Sequence, residues 1–171
     1  SGTMRHLLRS QYENITFLDA RIAEQNKALK DIAKEQEACR RLMRIPGVGI
    51  HTATILLTVA GTVQDFKNGR EFAAYLGLVP RQHSTGGKRR LLGISKRGDS
   101  YVRTLLIHGG RAVLRAMKMD REPLGDGARN AWLVSLIDRR GHNRASVALA
   151  NRTARIAWSM LAHGTEYAKA A

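Results

Sequence analysis

From Arg5 to Arg41 the chain contains neither proline nor glycine, and Leu8, Ile15, Ile22 and Leu29 recur every seven residues, with Leu18 and Ile32 at the companion apolar positions. That spacing predicts one long heptad helix, whose narrow apolar seam is too small to be buried by the helix alone. A partner helix is implied, and the alternative is a long helix packed on its own domain. Gln11, Gln25 and Gln36 interrupt the seam, as polar residues do when they set register at the expense of stability. The stretch carries eight basic and six acidic side chains, so it reads as a solvated, nearly neutral arm. Ser1-Gly2-Thr3 ahead of Met4 reads as a cloning remnant. The expected division is a remnant at 1–3, a coiled-coil helix at 4–41 and a helical domain at 42–171.

Beyond the arm, Pro46 cannot continue a helix, and Gly47 and Gly49 permit the positive φ and close backbone approach of a tight turn. A second helix follows to about Ala60, with Ala53, Leu56, Leu57 and Ala60 on one face. The Pro46-Gly47-Val48-Gly49 turn between two helices resembles the helix-hairpin-helix motif, in which free amides at the turn and the next helix N-terminus hold phosphate. An ordinary helical hairpin is the competing reading. Asn68 is placed to cap a short helix over Arg70–Leu76 closed by Gly77, with Phe72, Tyr75 and Leu76 read as core.

Val79 to Asp99 has no apolar period, and it gathers Arg81, Lys88, Arg89, Arg90, Lys96 and Arg97 around Gly86-Gly87 against the single acid Asp99. It is a basic, glycine-rich loop with room for a short hairpin. Asp99 is a good N-cap for a helix to about Lys118, with Val102, Leu105, Leu106, Ala112, Val113 and Ala116 apolar and Arg103, Arg111 and Arg115 close together on one face. Asp120–Gly127 reads as a loop. Helices follow over about 128–139, with Trp132, Leu133, Leu136 and Ile137 inward, and over 144–163, with Leu149, Thr153, Ile156 and Met160 in line and Gly164 as terminator. The fold class is mainly α: a long N-terminal coiled-coil helix, then a compact helical domain.

A net charge of +15 and a pI near 11.0 make nucleic acid the leading partner class. An anionic membrane comes second, and no apolar run approaches spanning length. The single cysteine, Cys39, excludes an internal disulfide and any cysteine-based zinc site, which fits a reducing cytoplasm. The acidic residues outside the arm are scattered and no histidine pair has ligand spacing, so no metal site is expected within the chain. Ser84-Thr85 lies among the cations of the basic loop, the setting in which a hydroxyl can attack a phosphodiester while positive charge stabilises the phosphoryl oxygens. A turn-forming or phosphate-binding hydroxyl is the plainer alternative for both residues, and for Ser95.

Ile45-Pro46-Gly47-Val48-Gly49, Phe72 to Arg81, His83-Ser84-Thr85-Gly86-Gly87-Lys88 and Gly93-Ile94-Ser95-Lys96-Arg97-Gly98-Asp99, followed by Arg103 and Leu105-Leu106, stand in an order that carries a resemblance. The series is similar to the C-terminal transposase domain of the insertion-sequence family numbered one hundred and ten, which includes Piv-type DNA invertases and bridge-RNA-guided recombinases. The resemblance implies a larger enzyme in which an RNase H-like domain with a DEDD carboxylate set binds magnesium. A coiled coil then leads to a domain whose serine becomes linked to DNA. Carried over, Ser84 takes the nucleophile position, with Thr85 as the alternative from a gapless alignment. On charge and turn geometry Gly47, Gly49, Arg81, Lys88, Arg89, Arg90, Lys96, Arg97 and Arg103 are the expected DNA-binding set, and Ser95 is read as a supporting residue. DNA, a guide RNA and a second copy of the chain are the implied partners. Because no DEDD set is present, the chain alone is expected to bind DNA and pair without exchanging strands. The competing function is a non-enzymatic nucleic-acid-binding and dimerisation module.

Overall fold

A computed structural model of the chain describes residues 2–88, 90–118 and 127–167. The expected loop at Asp120–Gly127 falls almost wholly outside them. Helix α1 spans Gly2–Glu35, taking in Gly2 and Thr3 as well as the heptads. Its seam is bare: Leu8, Ile15, Leu18 and Ile22 are 62%, 55%, 49% and 57% exposed. Only at Ala33 does the helix enter the core.

The expectation of one helix through Arg41 is corrected here. Gln36 is extended (φ −84°, ψ 110°), and a separate helix α2 covers Glu37–Leu42. In an unbroken helix Ala33 and Cys39 would point about 120° apart, and Ala33 and Leu42 to opposite sides. The break lets all three lie in the core, where each is buried. Burial also raises the pKa of the Cys39 thiol. Arg40 donates to the Lys34 carbonyl across the break.

After α2 the chain turns through Pro46-Gly47 into α3 (Ile50–Val59) and a 3₁₀ turn (Ala60–Asp65). Ile45 and Val48 are buried on either side of the turn. Helix α4 (Gly69–Tyr75) begins at Asn68, whose side-chain oxygen accepts from the amides of Arg70 and Glu71 at 2.9 and 3.1 Å. Phe72 and Leu76 are core, whereas Tyr75, expected inside, is 47% exposed and rests on Phe66 with ring centroids 5.1 Å apart. Strands β1 (Pro80–Gln82) and β2 (Leu91–Ile94) form an antiparallel pair within the basic loop. Then come α5 (Ser100–Lys118), α6 (Gly127–Arg140) and α7 (His142–His163).

Helix α7 is the axis of the body. Ala145, Ser146, Ala150, Ala154 and Ala157 are buried along it, a run of small side chains that lets neighbouring backbones come close. On α5, a Cβ at Gly110 would stand 2.6 Å from the Ser146 carbonyl oxygen, and on α4 a Cβ at Gly69 would stand 2.9 Å from that of Arg155. The Pro46-Gly47 turn meets α5 in the same way, since a Cβ at Gly47 would lie 2.7 Å from the Gly109 oxygen. Val102, Leu106, Val113 and Leu114 are the buried side chains of α5, while Ala112 faces solvent. Leu133 is fully buried against Val113, Leu114 and Leu149, with Trp132, Leu136 and Ile137 partly buried around them. Each such large aliphatic side chain contributes roughly 1.5–3 kcal/mol when fully withdrawn from water.

A Cβ at Gly109 would overlap the Gly47 carbonyl, and both partners are backbone. Gly109→Ala is therefore expected to destabilise the fold by about 2 kcal/mol or more in a urea titration. Gly61→Ala, where no atom lies within 4 Å, should be neutral or slightly stabilising.

Candidate nucleic-acid interface

The hairpin owes its shape to glycine. Gly86 (φ 57°) and Gly87 (φ 79°) occupy the two central positions of the Thr85–Lys88 turn, where positive φ at both matches the right-handed twist of paired strands. Lys88 donates its amide to the Thr85 carbonyl at 3.1 Å, and His83 donates to Arg90 at 2.9 Å. Pro80 pairs with Ile94 and Gln82 with Leu91, with an irregularity between them. Every residue from Pro80 to Lys88 is exposed. Ser84 therefore stands near the tip of a solvent-facing hairpin, and its Oγ accepts a hydrogen bond from Gln82 Nε2 at 2.9 Å. Thr85 is equally exposed and opens the turn. Arg81, Lys88 and Arg90 are exposed on the same hairpin, and Arg89 lies outside the described residues.

The base of the hairpin is built very differently. Gly77 (φ 71°) and Gly98 (φ 75°) bring two backbone segments together: a Cβ at Gly77 would meet the Arg97 amide nitrogen at 2.6 Å, and one at Gly98 would overlap the Tyr75 carbonyl. Ser95 donates its amide to Val79 at 2.8 Å and Lys96 to Gly77 at 3.2 Å. Lys96 holds φ at 58°, a conformation costly for a side chain of its kind. Arg103 closes the assembly. Its Nη1 donates to the carbonyls of Leu76 at 3.1 Å and Arg97 at 3.0 Å, so the guanidinium suggested for DNA is turned to the loop's own backbone. Asp99 starts α5 as expected from its sequence position, accepting from the amides of Tyr101 and Val102 at 2.7 and 3.0 Å. Lys96 and Arg97 remain exposed beside this knot, as do Arg111 and Arg115 further along α5.

The two glycines of the Pro46-Gly47-Val48-Gly49 turn separate in role. Gly47 (φ 84°) is consumed in the close contact with α5, whereas Gly49 is exposed just before α3, with no atom within 4 Å of where a Cβ would stand. Lys30 and Asn26 of α1 line a recess with Ile50 and His51 at that helix start. Sequence reasoning missed Gln82, the last residue of β1, which stands two residues before Ser84 and donates to it. It also missed that Arg103 braces the loop, because the carbonyls it binds come from segments that meet only in the folded chain.

Among the described residues no three His, Cys, Asp or Glu side chains are grouped to hold a metal ion. Nor is any described helix long and apolar enough to cross a membrane.

Together these features define a basic, mainly α-helical domain that presents a hydroxyl-bearing hairpin on a rigid base. Residues 39–123 match the family described as Transposase IS116/IS110/IS902, and the chain carries that family's transposase domain. It is 46% identical over 166 residues to a probable family 20 transposase of Pseudomonas aeruginosa, covering 96% of this chain and 47% of that protein. Over 164 residues it is 44% identical to the transposase for insertion sequence element IS1111A of Coxiella burnetii, covering 96% and 44%. The transposase for insertion sequence element IS1328 of Yersinia enterocolitica is 37% identical over 163 residues, covering 95% and 47%. The chain thus spans about half the length of these relatives.

Arg103→Ala leaves two carbonyls without their donor and is expected to cost about 1–3 kcal/mol. Hydrogen exchange should show it first as lost protection at the Ser95 and Lys96 amides. Lys96→Gly relieves the left-handed strain and should stabilise by about 1 kcal/mol in the same urea titration.

Proposed function

We propose that the chain is the serine-bearing part of a DNA transposase, with Ser84 as the nucleophile that becomes joined to a DNA strand. The observation that carries this reading is the position of Ser84: exposed near the tip of a basic hairpin, with Gln82 Nε2 donating to its oxygen and the hairpin's base locked by backbone packing. A hydroxyl that accepts from Gln82 keeps its own proton free to leave. In the step proposed, Ser84 Oγ forms a bond to phosphorus while a phosphorus–sugar oxygen bond breaks. The serine proton passes to solvent or a base, and the departing sugar oxygen takes one up. Arg81, Lys88 and Arg90 would stabilise the negative charge of the phosphoryl oxygens. Any magnesium chemistry, as the resemblance implies it, would fall to carboxylates outside this chain.

Gly49 and the start of α3 fit a second contact that grips DNA through phosphate without reading bases. The bare seam of α1 supports pairing with the same helix of another copy, since exposed leucine and isoleucine at heptad spacing gain most from burial against an identical seam. Two hairpins would then be carried by one dimer.

In the whole protein acting on a supercoiled donor, Ser84→Ala is expected to abolish covalent protein–DNA adducts and Thr85→Ala to retain them. The opposite pattern would transfer the nucleophile to Thr85. Sedimentation of the chain should show a concentration-dependent dimer that Leu8→Glu, Ile15→Glu and Ile22→Glu together convert to monomer, and a strict monomer at high concentration would contradict the pairing.

A further inference from the structure

A trough of about 990 Å³ runs over one face of the body, between the start of α4, the side of α7 and Trp132 of α6. Arg70, Arg152 and Arg155 line it with Trp132 and Trp158, and no aspartate or glutamate is among its described lining residues. None of the three arginines has an ion-pair partner among the described residues. Three guanidinium groups in one depression attract a polyanion.

The aromatic side chains narrow the ligand class. The Arg152 guanidinium lies over the Trp132 ring, 5.4 Å from its centroid, which holds a planar cation and a planar ring together at the groove wall. Trp158 is pinned by its indole N–H, which donates to the Val63 carbonyl at 3.2 Å, and by the edge of His163, with ring centroids 5.5 Å apart. Both indoles are only partly buried. A duplex offers such rings only its phosphates and base edges, whereas a single strand offers base faces and phosphates alternately. We propose that this groove holds a short single-stranded segment of nucleic acid, with bases against the tryptophans and phosphates on Arg70, Arg152 and Arg155.

The placement relative to the hairpin gives the site a use. Leu78 and Pro80 also line the trough, and Asn151 Nδ2 on α7 donates to the Leu78 carbonyl at 3.2 Å, which ties this segment to α7. Ser84 lies four residues beyond Pro80 and two beyond the end of β1. A strand leaving the groove at Pro80 is delivered to the hairpin. The groove goes beyond the reading of Ser84, and its residues are separate from those of the hairpin except at Pro80.

Trp132 and Trp158 are the chain's two tryptophans, so intrinsic tryptophan fluorescence reports on this groove alone. Titration with oligothymidylate or oligouridylate of about eight nucleotides should quench the emission saturably, with an affinity that falls as salt rises. The tighter of the two probes identifies DNA or RNA as the natural strand. Arg70→Glu with Arg155→Glu, both at exposed positions, should weaken binding at least about tenfold while the circular dichroism is unchanged. Trp132→Ala should weaken it by roughly tenfold. Arg81→Ala with Lys88→Ala and Arg90→Ala should leave the quenching intact, so that loss of hairpin function and loss of the groove are told apart. The proposal is overturned if labelled oligonucleotide binds without quenching, if a duplex quenches at lower concentration than a single strand, or if base-free polyphosphate quenches as well as the oligonucleotides do.

Discussion

The approach of two backbone segments at Gly77 and Gly98 governs the geometry of the basic hairpin. The end of α4 and the turn before α5 meet with no side chain between them, and any Cβ at Gly98 would occupy the space of the Tyr75 carbonyl. Arg103 then ties the carbonyls of Leu76 and Arg97 together from the first turns of α5. The cost of holding Lys96 in a left-handed conformation is met by these surrounding contacts. A hairpin with solvent on all sides of its tip is thereby anchored at its root, so that Ser84 is accessible and yet carried at a defined place.

The same device recurs across the body. Gly47 against Gly109, Gly110 against Ser146 and Gly69 against Arg155 are all places where backbone meets backbone on or beside α5 and α7. Large apolar side chains fill the spaces between them, notably Phe72, Leu42, Leu56 and Leu76, all but fully buried. The result is a body whose helices are set close enough to leave a shallow trough between α4, α6 and α7. Contacts so short tolerate little sliding of one helix past another.

Much of this fold is legible in local signals. The heptads of α1, the caps at Asn68 and Asp99, the glycine turn at Gly86-Gly87 and the terminator at Gly164 each act within a few residues of themselves. Gln36 misleads because a glutamine in a heptad looks like a register residue, whereas here it breaks the helix so that Cys39 and Leu42 share a core with Ala33. Tyr75 misleads because its apolar neighbours Phe72 and Leu76 are buried while its own position on the short helix faces outward. Arg103 looks like one more cation in a basic region, and its acceptors are twenty-seven and six residues away.

Sequence by itself determined the mainly helical class, the arm, the excess of positive charge and the order of the turns. These depend on periodicity, on proline and glycine backbone limits and on side-chain charge, all of which are properties of short stretches of chain. Tertiary structure alone decided which cations stay free and which brace the fold, which glycines are turns and which are contact points, and that Trp132 and Arg152 share a groove with Arg70 and Arg155. Those outcomes depend on what lies across the core from each residue, and segments far apart in the chain meet only when the helices pack.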